Sequence, residues 1–164
     1  MSVSQPMSRS ATIAPMLDPA LEPAVRARFG SSKFARWMGL TLVGLGEGTS
    51  EVRLDLEPHH FNPGGIVHGG VIATVLDGCI GLALRTELGM DSDHVTIDLN
   101  VQYISAMRSG ALIGRGRAVR VGDRVSHGEA ALTNEQGRLI AKGSATFLVI
   151  PARRRDERPL GGDA

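Results

Sequence analysis

The sequence has a single cysteine, no long apolar run and almost no net charge, and each shortage excludes a class of protein. Cys79 has no second cysteine to pair with, so no internal disulfide can form and a buried, inert thiol is predicted. No segment approaches the ~20 apolar residues that a membrane-spanning helix needs. A net charge of +1 provides no extended positive field for nucleic acid. We therefore expect a soluble, cytoplasmic protein without a nucleic-acid or membrane partner.

The composition that is present is that of one ordinary globular domain. Apolar residues make up 42% of the 164 residues and charged residues 21%, so the chain can bury a core without disulfides or metals. The Ser- and Pro-rich first segment lacks the apolar stretch of a secretion signal. It predicts a flexible tail at 1–20, and the Pro, Gly and dense charge of the last segment predict another at 151–164. A single domain is predicted over 21–150.

Two kinds of hydrophobic periodicity divide this domain into helices and strands. Residues 69–88, GGVIATVLDGCIGLALRTEL, are apolar in nearly every helical direction and are followed by Gly89, which predicts a helix that is buried almost all round. A shorter helix is predicted from Asp18 to about Phe29. Strict alternation predicts strands in SEVRLDLEP and HVTIDLNVQYI, with Val95 and Ile97 on the apolar face of the second. The segments that follow predict an antiparallel meander.

The predicted fold class is α+β, with a curved antiparallel sheet wrapped around one long buried helix. Small residues recur in the middle of three successive strands, where a helix could approach the sheet closely. They are Gly114, Gly116, Gly128, Ala130, Gly143 and Ala145. We expect the long helix to lie in the trough that these residues leave.

A carboxylate inside the long helix is the first sign of chemistry. Asp77 is the only charged side chain of the helix before Arg85, and its neighbours in the sequence are largely apolar. Removing a carboxylate from water is costly unless it is paired, so Asp77 is either tied to a neighbouring backbone group or arginine or kept for function. Small and polar residues share its side of the helix and predict the floor of a groove: Gly70, Thr74, Gly78 and Gly81.

The twelve residues HHFNPGGIVHGG, 59–70, lead into this helix and combine polar side chains with four glycines. HGG begins the helix, so its backbone N–H groups lack intrahelical acceptors and carry the positive end of the helix dipole. Glycine lets a ligand carbonyl approach these amides, which is the geometry of an oxyanion hole; the alternative is a tight turn that needs glycine. His59, His60 and His68 fit no zinc signature, so no metal is expected. His60 and Phe61 are expected to anchor the loop or line a pocket.

The segments HFNPGGIVHGGVIATVLD and VTIDLNVQYISAMRSGALIGRGRAVRVGDR together resemble the PaaI-like branch of the hotdog-fold acyl-CoA thioesterases, over about residues 34–150. The asparagine, the glycine, HGG and the aspartate nine positions after the histidine fall at that family's spacing. The resemblance implies a hotdog fold, hydrolysis of an acyl- or aryl-CoA thioester without a metal or redox cofactor, and a homodimer that often forms a homotetramer.

The same resemblance assigns roles to individual residues. It implies that the Gly69 amide and Asn62 polarise the thioester carbonyl, and that Asp77 acts as nucleophile or general base. His68 would support the site, and Thr96 falls where relatives carry a Ser or Thr that positions water or the carboxylate. Whether the carboxylate attacks directly or activates water stays open, because both routes use the same group.

Substrate binding requires an acyl pocket and a site for the CoA phosphates. We expect the pocket to be shaped by the far end of the helix and by apolar side chains outside it, with Gly70 beside the thioester. These side chains are Phe34, Trp37, Met38 and Phe61. The phosphates need cations, and the candidates near strand ends or turns are Arg108, Arg120 and Arg124.

Two other functions are compatible with the same scaffold. One is a non-catalytic acyl-CoA sensor or binding module, which has no need for a buried carboxylate at Asp77. The other is a hydratase or dehydratase, which would call for a different arrangement of Asp and His. Thioester hydrolysis is the leading hypothesis because the set of Asn62, His68, Gly69 and Asp77 is complete.

The positions of two of these residues also predict an assembly. Gly69 and Asp77 are eight residues apart on one helix, and at a rise of about 1.5 Å per residue they are separated by ~12 Å along its axis. One carbonyl cannot contact both. The amide and the carboxylate of one active site are therefore expected to come from different subunits of a two-fold dimer.

Overall fold

The computed structural model describes residues 17–152, which form three α-helices and six β-strands. The helices are α1 (Leu21–Ser31), α2 (Lys33–Trp37) and α3 (Gly69–Leu88); the strands are β1 (Leu40–Gly46), β2 (Thr49–Asp55), β3 (Ser92–Tyr103), β4 (Ala111–Arg120), β5 (Val125–Asn134) and β6 (Leu139–Pro151). The tails predicted at 1–20 and 151–164 lie for the most part outside the described residues. Within the described part, no helix is long and apolar enough to cross a bilayer.

All six strands belong to one antiparallel sheet, in the order β1-β2-β4-β5-β6-β3. Strands β4, β5 and β6 form the predicted meander. Strand β3 pairs with β6 at the edge of the sheet and not with β4, although β4 follows it in the sequence. Within residues 17–152, one side of β3 therefore has no neighbouring strand.

Helix α3 lies across the concave face of this sheet, as the sequence predicts, and its apolar residues form the centre of the core. The trough of small residues allows this close approach. A methyl group added at Gly116 would overlap the backbone carbonyl of Cys79, and one added at Gly128 would overlap the side chain of Ile80. Burial among these residues raises the pKa of the Cys79 thiol to about 12, so it stays protonated.

The alternation predicted for β3 is interrupted by a β-bulge at Ile97, which has no partner in the pairing with β6. Before the bulge, His94 and Thr96 face α3; after it, Leu99 does. The prediction that Val95 and Ile97 share one buried face with the later apolar residues is therefore wrong, and they are 45% and 59% exposed. One extra residue shifts a period-two pattern by one position and so exchanges the two faces.

Helix α1 packs against α3, and α2 packs against β1 and α1; the helix predicted from Asp18 to about Phe29 corresponds to α1. An ionic contact fixes α1 in place. Arg28 of α1 pairs with Asp93 at 2.6 Å, and the same carboxylate accepts a hydrogen bond from the buried Arg85 of α3 at 2.9 Å. The two helices therefore enclose a space beside α3 that contains Asp77.

Candidate active site

Asp77 lies near the middle of α3 with a half-buried carboxylate. Its Oδ1 accepts a hydrogen bond from the Thr96 hydroxyl at 2.8 Å, and no cation within residues 17–152 pairs with it. Burial raises the pKa of this carboxyl above its usual value, and the Thr96 hydrogen bond offsets part of that increase. Its partner is thus a neutral hydroxyl and not an arginine, which leaves a carboxylate that accepts a proton more readily than an exposed one.

Asp77 opens into a cavity of about 750 Å³ between α3, β3 and the two N-terminal helices. Three of the small residues predicted along this side of the helix line it, and they are Thr74, Gly78 and Gly81. Apolar side chains also line it: Phe29, Phe34, Leu40, Leu82 and Phe147. Two other clefts, of about 380 and 570 Å³, lie on the outer face of the sheet and beside β1, away from Asp77. The cavity at Asp77 combines an apolar wall with a few polar groups, as small-molecule sites do.

The first turn of α3 offers one free amide to a ligand. His68 is the N-cap, and its Nδ1 accepts the Gly70 N–H at 2.9 Å. The Gly69 N–H has no acceptor in the described part of the chain. Of the two glycine amides predicted to face a carbonyl, that of Gly70 is thus used within the turn, while that of Gly69 remains available.

Asn62 lies in the loop before α3, and the oxygen and nitrogen of its side-chain amide have different surroundings. Its Oδ1 accepts hydrogen bonds from the N–H groups of Gly64 at 2.9 Å and Ile66 at 3.3 Å. Because the loop amides use the oxygen, the Nδ2 amino group points elsewhere, and it has no acceptor among residues 17–152. The side chain therefore shapes the loop and still carries a free hydrogen-bond donor.

His60 anchors this loop to the core, one of the two alternatives predicted for it. The ring is buried; its Nε2 contacts the Met38 carbonyl at 3.1 Å and its Nδ1 accepts the Glu57 N–H at 2.9 Å. Burial lowers the pKa of the imidazole, which favours the neutral form. Met38 is buried in the core, and Phe61 packs against the core, so neither side chain lines the cavity. Phe34 does line it.

The three candidate arginines occupy two different places. Arg108 donates from its guanidinium to the carbonyls of Gly64 and Gly65 at 3.2 and 3.3 Å, and so braces the loop that carries Asn62. Arg120 and Arg124 lie at either end of the turn between β4 and β5, both exposed. Neither has an ionic partner in the part of the chain that the structure describes.

The residues of the predicted site fall into two groups that do not meet within one chain. Asp77 and Thr96 line the cavity, and neither Gly69 nor Asn62 contributes to its wall. Gly69 begins α3 and Asp77 lies in its third turn, which places them about 12 Å apart along the helix axis. The free donors and the half-buried carboxylate are therefore separate from each other within one chain.

Two residues beside these groups were not singled out from the sequence. Tyr103, at the end of β3, donates a hydrogen bond from its hydroxyl to the Gly69 carbonyl at 3.1 Å. His94 lines the cavity, and its buried Nδ1 has no partner among the described residues. Burial, together with the charge of Arg85, lowers the pKa of His94 to about 4. Alternation alone places the two on opposite faces of the strand, and the bulge brings both to the helix.

Comparisons with known proteins agree with this fold. The family model of the thioesterase superfamily matches residues 64–141, which include Gly69, Asp77 and Thr96. Human acyl-coenzyme A thioesterase 13 is 30% identical over 131 residues, covering 77% of this chain and 92% of its own length. These matches cover the loop, the helix and most of the sheet described above.

Solved structures give the same result for the fold. A conserved protein of Pseudomonas aeruginosa superposes with a TM-score of 0.70 at 34% identity, over 73% of this chain and 94% of its own. The PaaI protein of the Escherichia coli phenylacetic acid degradation operon superposes with a TM-score of 0.76, over 83% of this chain and 97% of its own. Its 14% identity supports the fold alone. From its motifs, its helix in a curved sheet and these relatives, the chain belongs to the thioesterase superfamily and has the hotdog fold.

Proposed function

We propose that this protein hydrolyses acyl- or aryl-CoA thioesters to the free acid and CoA. The observation that carries the proposal is the half-buried carboxylate of Asp77, bonded to Thr96 and open to a cavity of about 750 Å³. Thioester hydrolysis is the activity of the superfamily, and the name of the human relative specifies an acyl-CoA substrate. The cavity provides apolar walls for the acyl group beside the carboxylate.

In the water-activated route, Asp77 accepts a proton from a water molecule while the water oxygen attacks the thioester carbon. The carbonyl oxygen becomes an oxyanion, which accepts hydrogen bonds from the Gly69 N–H and the Asn62 Nδ2 group. When the intermediate collapses, the C–S bond breaks and the CoA thiolate takes the proton that Asp77 accepted. The raised pKa of Asp77 favours proton transfer to it. In the other route the carboxylate attacks the thioester carbon directly, and the C–S bond breaks to release the CoA thiolate. Water then hydrolyses the resulting anhydride to the free acid and regenerates the Asp77 carboxylate.

The active site of this proposal requires two chains. Gly69 and Asn62 of one subunit would face the Asp77 cavity of its partner, and a two-fold axis would create this arrangement twice. The free edge of the sheet supports such an assembly. In the part of the chain that the structure describes, strand β3 has no neighbour on one side; Val95 and Ile97 in the strand and Ile104 just after it are exposed. A second copy of the chain would cover these apolar side chains. Pairing of two such dimers into a tetramer stays a prediction.

The CoA phosphates are assigned to the turn between β4 and β5. Arg120 and Arg124 are both exposed there and have no ionic partner within residues 17–152, so both charges can meet phosphate. Arg108 is the weaker candidate because its guanidinium already braces the loop at Gly64 and Gly65.

The proposal is tested by measuring CoA release from a panel of short, long and aromatic acyl-CoAs. The wild-type protein should hydrolyse at least one class, and Asp77→Asn should lower kcat by about a hundredfold or more, because it removes the charge and keeps the size. Asp91→Asn is the matched control, since Asp91 is exposed in the loop between α3 and β3. Wild-type turnover in Asp77→Asn would contradict the assignment. Tight binding without hydrolysis would favour the acyl-CoA sensor.

A further inference from the structure

The peptide group that joins Gly69 and Gly70 is held from both sides by exposed side chains. Its carbonyl oxygen accepts the hydrogen bond from the Tyr103 hydroxyl at 3.1 Å, and its N–H donates to His68 Nδ1 at 2.9 Å. A glycine pair has more backbone freedom than any other pair of residues, so this peptide would otherwise rotate more easily than its neighbours. Two side chains from different elements thus fix the orientation of one peptide plane.

Burial does not explain the position of Tyr103. The side chain is 58% exposed, although it is the only tyrosine of the chain. The Gly69 carbonyl also has an intrahelical donor in a regular helix, so it does not need a second one. The tyrosine ring nevertheless lies over Gly69, and a methyl group added there would lie 3.3 Å from its hydroxyl oxygen and 3.4 Å from its Cζ. The tyrosine ring therefore occupies space that a side chain at position 69 would need.

Movement of Gly69 would also turn the amide that this residue carries. The Gly69 N–H belongs to the preceding peptide, and it is the one donor of the first turn that has no acceptor in the described chain. A donor aimed at a developing oxyanion stabilises it only when its direction is fixed before the reaction. Because the Tyr103 ring lies over Gly69 and its hydroxyl holds the Gly69 carbonyl, the residue that carries this N–H is kept in one position.

We infer that Tyr103 is a positioning residue for the thioester carbonyl, which acts through Gly69 and together with His68. It contacts neither Asp77 nor the wall of the acyl cavity. The inference rests on the proposed function, because it assigns the Gly69 amide to the thioester oxygen. It extends that function by a residue on β3, so that the edge strand contributes Thr96 at the carboxylate and Tyr103 at the amide.

Steady-state kinetics of Tyr103→Phe, with an acyl-CoA that the wild-type protein hydrolyses, test the inference. The phenylalanine keeps the ring over Gly69 and removes only the hydroxyl. We expect kcat to fall about tenfold with KM within about twofold, because the lost contact matters at the oxyanion and not in substrate binding. The acid limb of the pH profile of kcat/KM should not move, because Asp77 is untouched.

Two further variants make the result specific. Thr146→Val removes a hydroxyl that contacts His127 at 3.2 Å on the outer face of the same sheet, and it should leave kcat unchanged. Since His68 and Tyr103 hold the same peptide, the double variant Tyr103→Phe/His68→Ala should be no more than about twofold slower than His68→Ala alone. Unchanged kcat in Tyr103→Phe, a change in KM only, or an equal loss in Thr146→Val would overturn the inference.

Hydrogen exchange followed by NMR provides a readout that does not depend on activity. In Tyr103→Phe, the Gly70 amide should exchange about tenfold faster than in the wild-type protein, while amides in the middle of α3 keep their rates. Unchanged exchange at Gly70 would show that the hydroxyl does not hold this peptide. A wild-type protein that hydrolyses no thioester would refute the proposed function, whereas an active one with an unaffected Tyr103→Phe would refute only the role of Tyr103.

Discussion

Complementation between two inactive variants tests whether each active site is built from two chains. Asn62→Ala removes the free Nδ2 donor of the loop, and Asp77→Asn removes the carboxylate charge; each homodimer should be nearly inactive. Gly69 and Asp77 are separated by about 12 Å along α3, so under the proposed arrangement the donors and the carboxylate of one chain belong to different active sites. In a mixed dimer, one site then holds both lesions and the other holds neither.

The expected activity follows from this geometry. A purified mixed dimer should have about half the wild-type activity, because one of its two sites is intact. When the two variants are refolded together in equal amounts, about half of the dimers are mixed, so the whole sample should recover about a quarter of the wild-type rate. Two differently tagged chains allow the mixed dimers to be purified, and CoA release measures their activity.

A second mixed dimer is the matched control. It combines the wild-type chain with a chain that carries both Asn62→Ala and Asp77→Asn. If the sites are shared, each of the two sites then holds one lesion, and the dimer should be nearly inactive. A site built within one chain gives the opposite pair of results. The first mixed dimer would then be inactive and the second would keep about half of the activity, which would refute the two-chain arrangement.

Four more predictions concern individual residues. Because burial raises the pKa of Asp77, the acid limb of kcat/KM should lie above the usual range of an aspartate, near 3.9, and Thr96→Val should move it further upward. Arg120→Ala and Arg124→Ala should raise KM for acyl-CoA with little change in kcat; unchanged kinetics in both would move the phosphate site elsewhere. Since the pKa of His94 is about 4 in the fold and 6.5 ordinarily, the unfolded chain binds the proton first as pH falls. Stability to urea should therefore drop by up to about 3 kcal/mol between these pH values, and His94→Phe should lack this loss. Gly116→Ala should lower the free energy of unfolding by about 1–3 kcal/mol, because its methyl group overlaps the Cys79 carbonyl; an unchanged urea midpoint would contradict that packing.

The sequence by itself determined the long helix and the trough that receives it. The helix predicted over 69–88 begins and ends at the same residues in the structure, because its apolar periodicity and Gly89 are local features of the chain. The trough was predictable because residues as small as Gly116 and Gly128, repeated across successive strands, have few other uses in a sheet. The motif spacing likewise identified the family, which the matching relatives confirm.

Only the tertiary structure decided how β3 meets the rest of the molecule. Its place beside β6 and its bulge at Ile97 depend on pairing with residues some fifty positions away in the sequence. The alternation of residues within β3 does not indicate the register of that pairing. The bulge places Thr96 on Asp77 and Tyr103 on Gly69, two contacts that an unbroken strand would put on opposite faces. The residue types of the candidate site were therefore visible in the sequence. Their contacts were not, because hydrogen bonds between a helix and an edge strand arise only when the sheet has closed around the helix.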